Sequence, residues 1–259
     1  MIAYRNEQVK LYPASLTKIM TFIVAAENMD GLSAAVIVTY DMAATYIALD
    51  ASRAGFEPGE TPTLKDVLYG MILCLGADAL LAAAEYVAGS EQGFVDMMND
   101  KCEEIGLKNT HFTTVVGLHD KDNYSTAEDI AMILEYAIQK KTCREVLSAV
   151  EYKYAATKKN PDGLTFESTL FSRMYGDGMP GMKALGGKTG FTDEAGNCMA
   201  KIAEINEKTY ILVLCGGKTN WNNVYNTLSA YSVYCAGGIE YIPPDGKKYI
   251  DIVSSFILV

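Results

Sequence analysis

The stretch Pro13-Ala14-Ser15-Leu16-Thr17-Lys18-Ile19-Met20-Thr21 opens the first long helix-forming run of the chain. Ser15 and Lys18 are three residues apart, so both side chains lie on one face of a helix. Pro13 suits a first helical turn, where its missing N–H costs nothing. The pattern predicts Ser15 at a helix N-terminus, where free N–H groups stabilise developing negative charge, as a nucleophile requires. The alternative is a helix cap with a solvated lysine, since chance alone produces about one Ser-x-x-Lys in a chain of this length.

Composition and charge exclude several classes of protein. The chain has 259 residues, 49% hydrophobic and 21% charged, as expected for one large globular domain or two lobes. A formal net charge of −10 argues against nucleic acid or an anionic membrane surface as the main partner, because both would repel it. No apolar run reaches transmembrane length, since Asp78 and Glu85 interrupt the longest candidate, 67–87, and the first residues show no basic-then-apolar pattern of a signal peptide.

Cysteine and histidine usage gives no metal or disulfide pattern. Six cysteines are scattered without a C-x-x-C pair, and we interpret them as buried free thiols: Cys74, Cys102, Cys143, Cys198, Cys215 and Cys235. Each of the two histidines, His111 and His119, lies in a turn-like segment, which favours a hydrogen-bonding role over catalysis. We therefore expect neither a metal nor a cofactor.

The middle of the chain, roughly 41–145, reads as a helical lobe. Two capping boxes predict helix starts, at Thr63-Leu64-Lys65-Asp66 and at Ser125-Thr126-Ala127-Glu128. Apolar residues at helical spacing predict helices at 64–75, 79–88, 91–105 and 126–138. Before them we expect a short strand at 35–39 and a long loop at 41–63.

Strands are predicted at both ends of the chain. They are expected at 1–4, 151–156, 166–169, 187–191, 198–205 and 209–215, followed by a terminal helix at 221–234. The predicted fold class is α+β, an antiparallel sheet flanked by helices with the helical lobe inserted. Residues 1–238 would form one catalytic-type domain and 239–259 an extended tail or the start of a second domain.

A second candidate motif is Gly186-Gly187-Lys188-Thr189-Gly190-Phe191-Thr192. Lys-Thr-Gly on an edge strand supplies a cation, a hydroxyl group and a glycine that permits close approach of a ligand. The alternative interpretation is an ordinary surface hairpin. Taken with Ser15 and Lys18, the motif favours a shared site.

PASLTKIMT near the start and GGKTGFTDEAGN near the end resemble the serine D-alanyl-D-alanine carboxypeptidases, which are low-molecular-mass penicillin-binding proteins with S-x-x-K and K-T-G motifs. The resemblance extends in order through 62–70, 91–99, 108–112 and 124–129, and covers the chain from Met1 to about Ala236. It implies a β-lactamase/DD-peptidase-like fold. It also implies that Met1–Tyr4 is the second strand of a hairpin whose first strand, with an export signal, is absent, and that a C-terminal domain and membrane anchor are not included.

The resemblance implies a role for each matching residue. Ser15 would be the acylated nucleophile, and Lys18 its base, with a pKa lowered by burial and by the neighbouring Lys188. The backbone N–H groups of Ser15 and Phe191 would form the oxyanion hole. Lys188, Thr189 and Gly190 would bind the substrate, with Lys188 and Thr189 holding its terminal carboxylate.

One motif departs from the family pattern. The third motif, S-x-N followed by Asp-Ala, falls on Leu75-Gly76-Ala77-Asp78-Ala79. Leu75 replaces the serine that helps to return the proton, and Ala77 replaces the asparagine that binds the substrate backbone. General acid–base assistance is typically worth about 10²- to 10⁴-fold, so a loss of that order is expected. Cys74 is adjacent, but a shift of one residue would turn its side chain away.

Two functional hypotheses therefore stand. The first is a serine DD-carboxypeptidase acting on peptidoglycan peptides that end in D-Ala-D-Ala, and binding β-lactam antibiotics. The second is a weakened or non-catalytic relative that binds the same molecules, as Leu75 and Ala77 favour. A serine β-lactamase is a third possibility, disfavoured because no Glu-x-x-Leu-Asn stretch is present. The resemblance implies an extracytoplasmic location in a bacterial cell envelope, and no nucleic-acid partner.

Overall fold

The protein is an α+β structure, seen here in a computed structural model that describes residues 1–29, 31–48, 51–173, 181–235 and 254–259. The strands are β1 (Ala3–Arg5), β2 (Glu151–Tyr154), β3 (Leu164–Glu167), β4 (Met182–Thr192), β5 (Gly196–Ile205), β6 (Lys208–Gly217) and β7 (Ser255–Leu258). Within the described ranges, five of them form an antiparallel sheet in the order β1-β7-β6-β5-β4, and β2 pairs with β3 separately. The predicted fold class, with a sheet built from both ends of the chain, is confirmed.

The helices of the described ranges pack on both faces of this sheet. They are α1 (Thr17–Glu27), α2 (Tyr40–Ala48), α3 (Leu64–Leu73), α4 (Ala77–Ala88), α5 (Glu91–Ile105), α6 (Ala127–Gln139), α7 (Lys141–Leu147), α8 (Thr169–Arg173) and α9 (Asn220–Tyr234). Successive side chains of β5 point to opposite faces of the sheet and so pack into two different hydrophobic cores. Cys198, Ala200 and Ile202 face the helical lobe, whereas Met199 and Ala203 face α9.

One predicted capping box is confirmed and the other is wrong by one residue. Thr63 Oγ1 accepts from Asp66 N at 3.2 Å, and the Asp66 carboxylate accepts from Thr63 N at 2.8 Å. At α6 the cap is Thr126, which accepts from Asp129 N at 3.0 Å. Ser125 cannot cap this helix because its backbone pairs with Leu11 in a β-bridge.

Three other local predictions are corrected. The segment predicted as a strand at 35–39 makes one β-bridge, from Ala35 to Thr63, because its partner is the proline-containing stretch 58–62 rather than a strand. The loop expected at 41–63 begins with helix α2, for which the run Met42-Ala43-Ala44 has good helix propensity. Helix α7 was not expected.

The end of the chain contributes a strand. Of the predicted tail 239–259, residues 239–253 lie outside the described part, while Ser255–Leu258 forms β7 between β1 and β6. The strand paired with β1 is β7, and the preceding hairpin strand that the family resemblance implies stays a prediction. No described helix combines the length and apolar character that a membrane crossing needs. The domain division stays a prediction.

The six cysteines behave as the sequence suggested. All are free thiols, and five are buried, whereas Cys74 is half-buried. The edge strand β4 packs against a 3₁₀ turn, Ala14–Leu16, that precedes α1. This contact brings together the two motifs identified in the sequence.

Candidate active site

Ser15 lies in the 3₁₀ turn and Lys18 in the first turn of α1, so the predicted position at a helix N-terminus is confirmed. Lys18 Nζ lies 3.3 Å from Ser15 Oγ. Ser15 is half-buried, whereas Lys18 is 5% exposed. The spacing of three residues therefore places an amine within hydrogen-bonding distance of a hydroxyl group that solvent can reach.

A loop from the helical lobe fixes the lysine. Lys18 Nζ donates to the Val116 carbonyl oxygen, and Thr21 Oγ1 donates to the Val115 carbonyl oxygen at 2.9 Å. Gly117 follows with a φ of +74°, and a Cβ there would lie 2.2 Å from Ala14 O. Only glycine permits this close approach. The loop and the 3₁₀ turn are thus held together.

Burial lowers the pKa of Lys18 to about 7. The family resemblance implies contributions from burial and from Lys188, whereas burial is the one cause of the lowered pKa in the structure. A pKa near neutrality gives a substantial fraction of free amine at pH 7. Lys18 can therefore accept a proton from Ser15 under physiological conditions.

Strand β4 forms the opposite side of the site. At Gly190 a Cβ would lie 2.9 Å from Ser15 N, so glycine allows β4 to pass directly against the 3₁₀ turn. Thr189 Oγ1 lies 3.2 Å from Thr169 Oγ1. Lys188 is 1% exposed and its Nζ donates to the Thr189 carbonyl oxygen at 2.9 Å. The Lys-Thr-Gly motif therefore lies beside Ser15.

A pocket of about 310 Å³ joins these groups. It is lined by Ser15, Lys18, Ala51, Ser52, Leu75, Val116, Gly117, Leu118, Thr189, Gly190, Phe191 and Thr192. Ser15 and Phe191, the two residues predicted to supply the oxyanion hole, both line it. Lys188 does not line it and is buried, so its direct contact with a carboxylate stays a prediction.

The junction between α3 and α4 gives this pocket an apolar wall. Leu75 lines the pocket in a left-handed conformation, with a φ of +62°. Ala77 is fully buried and its N–H donates to the Ser52 carbonyl oxygen at 2.8 Å. Cys74 does not line the pocket, and burial raises the pKa of its thiol to about 11. None of these three side chains supplies the hydroxyl group of the missing serine or the amide group of the missing asparagine to the pocket.

Two residues near this wall, Asp78 and Ser52, have a structural position that the sequence does not predict. The buried Asp78 carboxylate accepts from the backbone N–H groups of Ala54 at 2.8 Å and Phe56 at 3.0 Å, and so fixes the loop that bounds the pocket. The signal was a lone carboxylate in an otherwise apolar helix start. Ser52, exposed on the same loop, carries a hydroxyl group at this side of the pocket. A loop residue of this kind gave no sequence signal.

The histidines make contacts away from Ser15. His111 Nδ1 lies 2.8 Å from the Asp122 carbonyl oxygen, and the His119 ring packs edge-on against Tyr12 at 4.6 Å. Across the described ranges, no group of three or more His, Cys, Asp or Glu side chains is arranged to hold a metal ion.

Sequence comparison identifies relatives over most of the chain. A sequence model of the D-alanyl-D-alanine carboxypeptidase family matches residues 1–219. The chain is 31% identical over 215 residues to D-alanyl-D-alanine carboxypeptidase DacF of Bacillus subtilis, covering 83% of this chain and 54% of the relative. It is 34% identical over 236 residues to DacC of Escherichia coli, covering 85% and 54%. The chain thus spans about half the length of these curated relatives.

Solved structures share the fold. The Streptomyces K15 DD-transpeptidase superposes with a TM-score of 0.75 at 28% identity, over 85% of this chain and 86% of that one. Penicillin binding protein 5 from Haemophilus influenzae superposes with a TM-score of 0.68 at 26% identity, over 81% and 59%. Together with the two motifs that meet around Ser15, these matches show that the chain belongs to the D-alanyl-D-alanine carboxypeptidase family.

Proposed function

We propose that the protein is a serine D-alanyl-D-alanine carboxypeptidase that acts on peptidoglycan stem peptides and is acylated by β-lactams. The observation that carries the proposal is the 3.3 Å contact between Lys18 Nζ and Ser15 Oγ in a pocket bounded by β4. The names of the relatives support the same reaction. The chemistry fits a location in the bacterial cell envelope, where such peptides occur.

Acylation begins with the neutral amine of Lys18. It accepts the proton of Ser15 as Oγ attacks the carbonyl carbon of the penultimate D-alanine. The N–H groups of Ser15 and Phe191 would stabilise the developing oxyanion, at about 3–4 kcal/mol per donor in comparable enzymes. The peptide C–N bond then breaks, the terminal D-alanine leaves with a proton returned from the Lys18 ammonium, and water hydrolyses the ester.

Substrate binding would use the Lys-Thr-Gly strand. Thr189 lines the pocket, and the ammonium group of the buried Lys188 lies 2.9 Å from the Thr189 carbonyl oxygen, so its positive charge favours a carboxylate bound nearby. β4 is one of the two edge strands of the described sheet and can accept an extended peptide alongside. A β-lactam would present its ring carbonyl group and carboxylate in the same places.

D-Alanine release from diacetyl-L-Lys-D-Ala-D-Ala tests the proposed function. The parent protein should release D-alanine, and Ser15→Ala should release none above the uncatalysed background. Because Leu75 and Ala77 offer no polar group, we expect slow turnover. Release that persists in Ser15→Ala would contradict the assignment of the nucleophile. Failure of the parent to release D-alanine while it still forms a penicillin adduct would leave a binding protein without turnover.

A further inference from the structure

Two cysteines lie opposite each other on neighbouring strands of the sheet. Cys198 is on β5 and Cys215 is on β6, and the two strands run antiparallel. Met199 pairs with Leu214, and a β-bulge follows. At the bulge, Cys215 and Gly216 together lie opposite Cys198. The chain positions of the two cysteines are far apart, so the strand pairing alone brings them together.

Both cysteine side chains point to the same face of the sheet. Cys198 and Cys215 belong to the hydrophobic core under the helical lobe, whereas Met199 and Leu214 belong to the core under α9. Residues that lie opposite each other on antiparallel strands have Cα atoms about 4.5–5.5 Å apart, and a disulfide bond spans about 4.4–6.8 Å. The pairing of these two residues therefore suits a disulfide bond.

The two thiol groups already contact each other. A hydrogen bond between them lowers the pKa of Cys198, and the same bond together with burial raises the pKa of Cys215. Cys198 Sγ also lies 3.8 Å from the Ala195 carbonyl oxygen and 3.9 Å from the Gly196 carbonyl oxygen. Cys198 is thus the thiol of the pair that ionises more readily, and a thiolate is the form that reacts with a disulfide.

A cleft of about 750 Å³ borders one of the two cysteines. Cys215 lines this cleft, as do Ala195 and Gly196 of the turn between β4 and β5, whereas Cys198 does not. Each cysteine is 2% exposed. A small oxidant that enters the cleft therefore meets Cys215 first, with Cys198 next to it.

We propose that Cys198 and Cys215 are a redox-active pair that a small disulfide oxidant converts into a structural disulfide bond. The structure shows the reduced form, with two free thiols. The Cys215 thiolate attacks the S–S bond of the oxidant and releases one thiol. The Cys198 thiolate then attacks the Cys215 sulfur atom of the mixed disulfide and releases the second thiol. The pair loses two electrons and two protons, and the two sulfur atoms of the oxidant gain them.

The new bond would lie one strand away from the catalytic pocket. Cys198 pairs on its other side with Gly190, whose backbone passes against Ser15. The bond itself joins β5 to β6 and closes the loop 198–215, which restricts the unfolded chain more than the folded one. We therefore expect a more stable protein in which Ser15 reacts as before. The inference does not depend on the proposed function.

Refolding of the parent protein from urea in a mixture of oxidised and reduced glutathione tests the inference, because unfolding removes the barrier of burial. Alkylation in denaturant followed by intact-mass analysis counts the remaining thiols. The chain has six cysteines, so four alkylated thiols are expected, against six after refolding with reduced glutathione alone. Peptide mapping should find one disulfide bond, between the peptides that contain Cys198 and Cys215.

Oxidised glutathione added to the folded protein tests the route through the cleft. It should produce the same bond, and faster at pH 9 than at pH 7, because the pKa of Cys215 is raised. After refolding in the oxidising mixture, six free thiols, glutathione adducts in place of the bond, or a bond between any other two cysteines would overturn the inference.

Single serine variants provide the controls. Cys215→Ser should keep all five remaining thiols and show no internal disulfide bond after oxidation. Cys143→Ser is the matched control, since Cys143 is also buried but lies on α7, away from the sheet. It should form the bond as the parent does and keep three thiols. Loss of the bond in both variants would contradict the assignment to Cys198 and Cys215.

Urea unfolding and penicillin labelling measure what the bond does. The urea midpoint of the oxidised parent should exceed that of the reduced parent by about 1 M. Both forms should acquire a penicillin adduct at rates within about threefold of each other. An unchanged midpoint, or an oxidised form that reacts more than tenfold more slowly, would contradict a structural role. No adduct on either form would overturn the proposed function alone.

Discussion

Two buried lysines, Lys18 on α1 and Lys201 on β5, have pKa values lowered to about 7, and burial is the cause for both. Lys18 is 5% exposed and Lys201 is fully buried. Their surroundings differ. Lys18 Nζ contacts Ser15 Oγ and the Val116 carbonyl oxygen, whereas Lys201 Nζ has no hydrogen-bond partner among the described residues and lies 5.7 Å from the Tyr231 ring.

The sheet separates the two amines. Lys201 pairs with Gly187, whereas Lys188 pairs with Ala200, whose side chain faces the helical lobe. Because successive side chains of a strand point to opposite faces, Lys201 points toward α9, away from Ser15. A lowered pKa therefore does not identify a catalytic lysine. What identifies Lys18 as the base is its contact with the Ser15 hydroxyl group in an open pocket.

Replacement of Lys18 should have the largest effect. Lys18→Met removes the base and should slow penicillin acylation by about 10²- to 10⁴-fold. Lys201→Met is the matched control, since it removes a buried lysine with the same pKa, and it should leave the acylation rate within about twofold. Stopped-time intact-mass measurements give both rates. Equal losses in the two variants would contradict the role assigned to Lys18.

The pH profile should follow Lys18 in the same experiment. The amine acts when neutral, so the acylation rate should rise with pH up to about 7 and level off above it, because the pKa of Lys18 is lowered to about 7. Lys201→Met should keep this profile, although Lys201 has the same pKa. Loss of the midpoint near pH 7 in Lys201→Met would show that Lys201, and not Lys18, controls the pH dependence of acylation.

Restoring the polar wall should raise turnover by a smaller factor. In Leu75→Ser with Ala77→Asn, D-alanine release should increase by about 10²-fold at most, because the hydroxyl group can return the proton to the leaving amine. Ala77 is fully buried, so urea unfolding must accompany the assay. A folded variant with unchanged release would show that this wall does not limit turnover.

Lys201 should affect stability instead of acylation. Removal of a buried amine without a partner should raise the free energy of unfolding of Lys201→Met by about 1–4 kcal/mol at pH 7. Between pH 7 and 10.5 the unfolded chain holds the lysine proton and the folded chain does not, so parent stability gains from rising pH. The advantage of Lys201→Met should therefore shrink over that range. Urea titrations at several pH values measure it, and a destabilised variant would contradict this account.

Cys74 should show the smallest effect. Burial raises the pKa of its thiol to about 11 and the side chain does not line the pocket, so Cys74→Ala should change D-alanine release by less than about twofold. If the Leu75 and Ala77 double variant raises D-alanine release and Cys74→Ala leaves it unchanged, the missing proton return depends on the pocket wall and not on the Cys74 thiol. A loss of tenfold or more would make Cys74 a participant.

The sequence predicted the parts of the fold that short-range patterns encode. The Thr63 capping box, the bounds 91–105 of α5 and the spacing of Ser15 and Lys18 each depend on residues within one or two helical turns. The juxtaposition of Ser15 with Gly190 depends on contacts between distant segments, and the family resemblance supplied it. Local spacing alone could not have placed the two motifs in one pocket.

Long-range geometry accounts for what was missed. Asp78 acts through backbone groups more than twenty positions away, at Ala54 and Phe56, and no periodic pattern reports such a contact. Strand β7 was assigned to a tail because its pairing with β1 joins opposite ends of the chain. Lys188 is 1% exposed and does not line the pocket, and its predicted role in substrate binding stays a prediction. Side-chain depth of this kind is set by packing, which sequence spacing does not describe.

The central claim is that Ser15 forms an acyl-enzyme with Lys18 as its base. The most direct test is intact-mass analysis of the parent protein after incubation with a penicillin, followed by peptide mapping, with Ser15→Ala alongside. The account predicts one adduct with the mass of the intact penicillin, located on the peptide that contains Ser15 and absent from Ser15→Ala. No adduct on the parent, or an adduct that persists in Ser15→Ala, would contradict it.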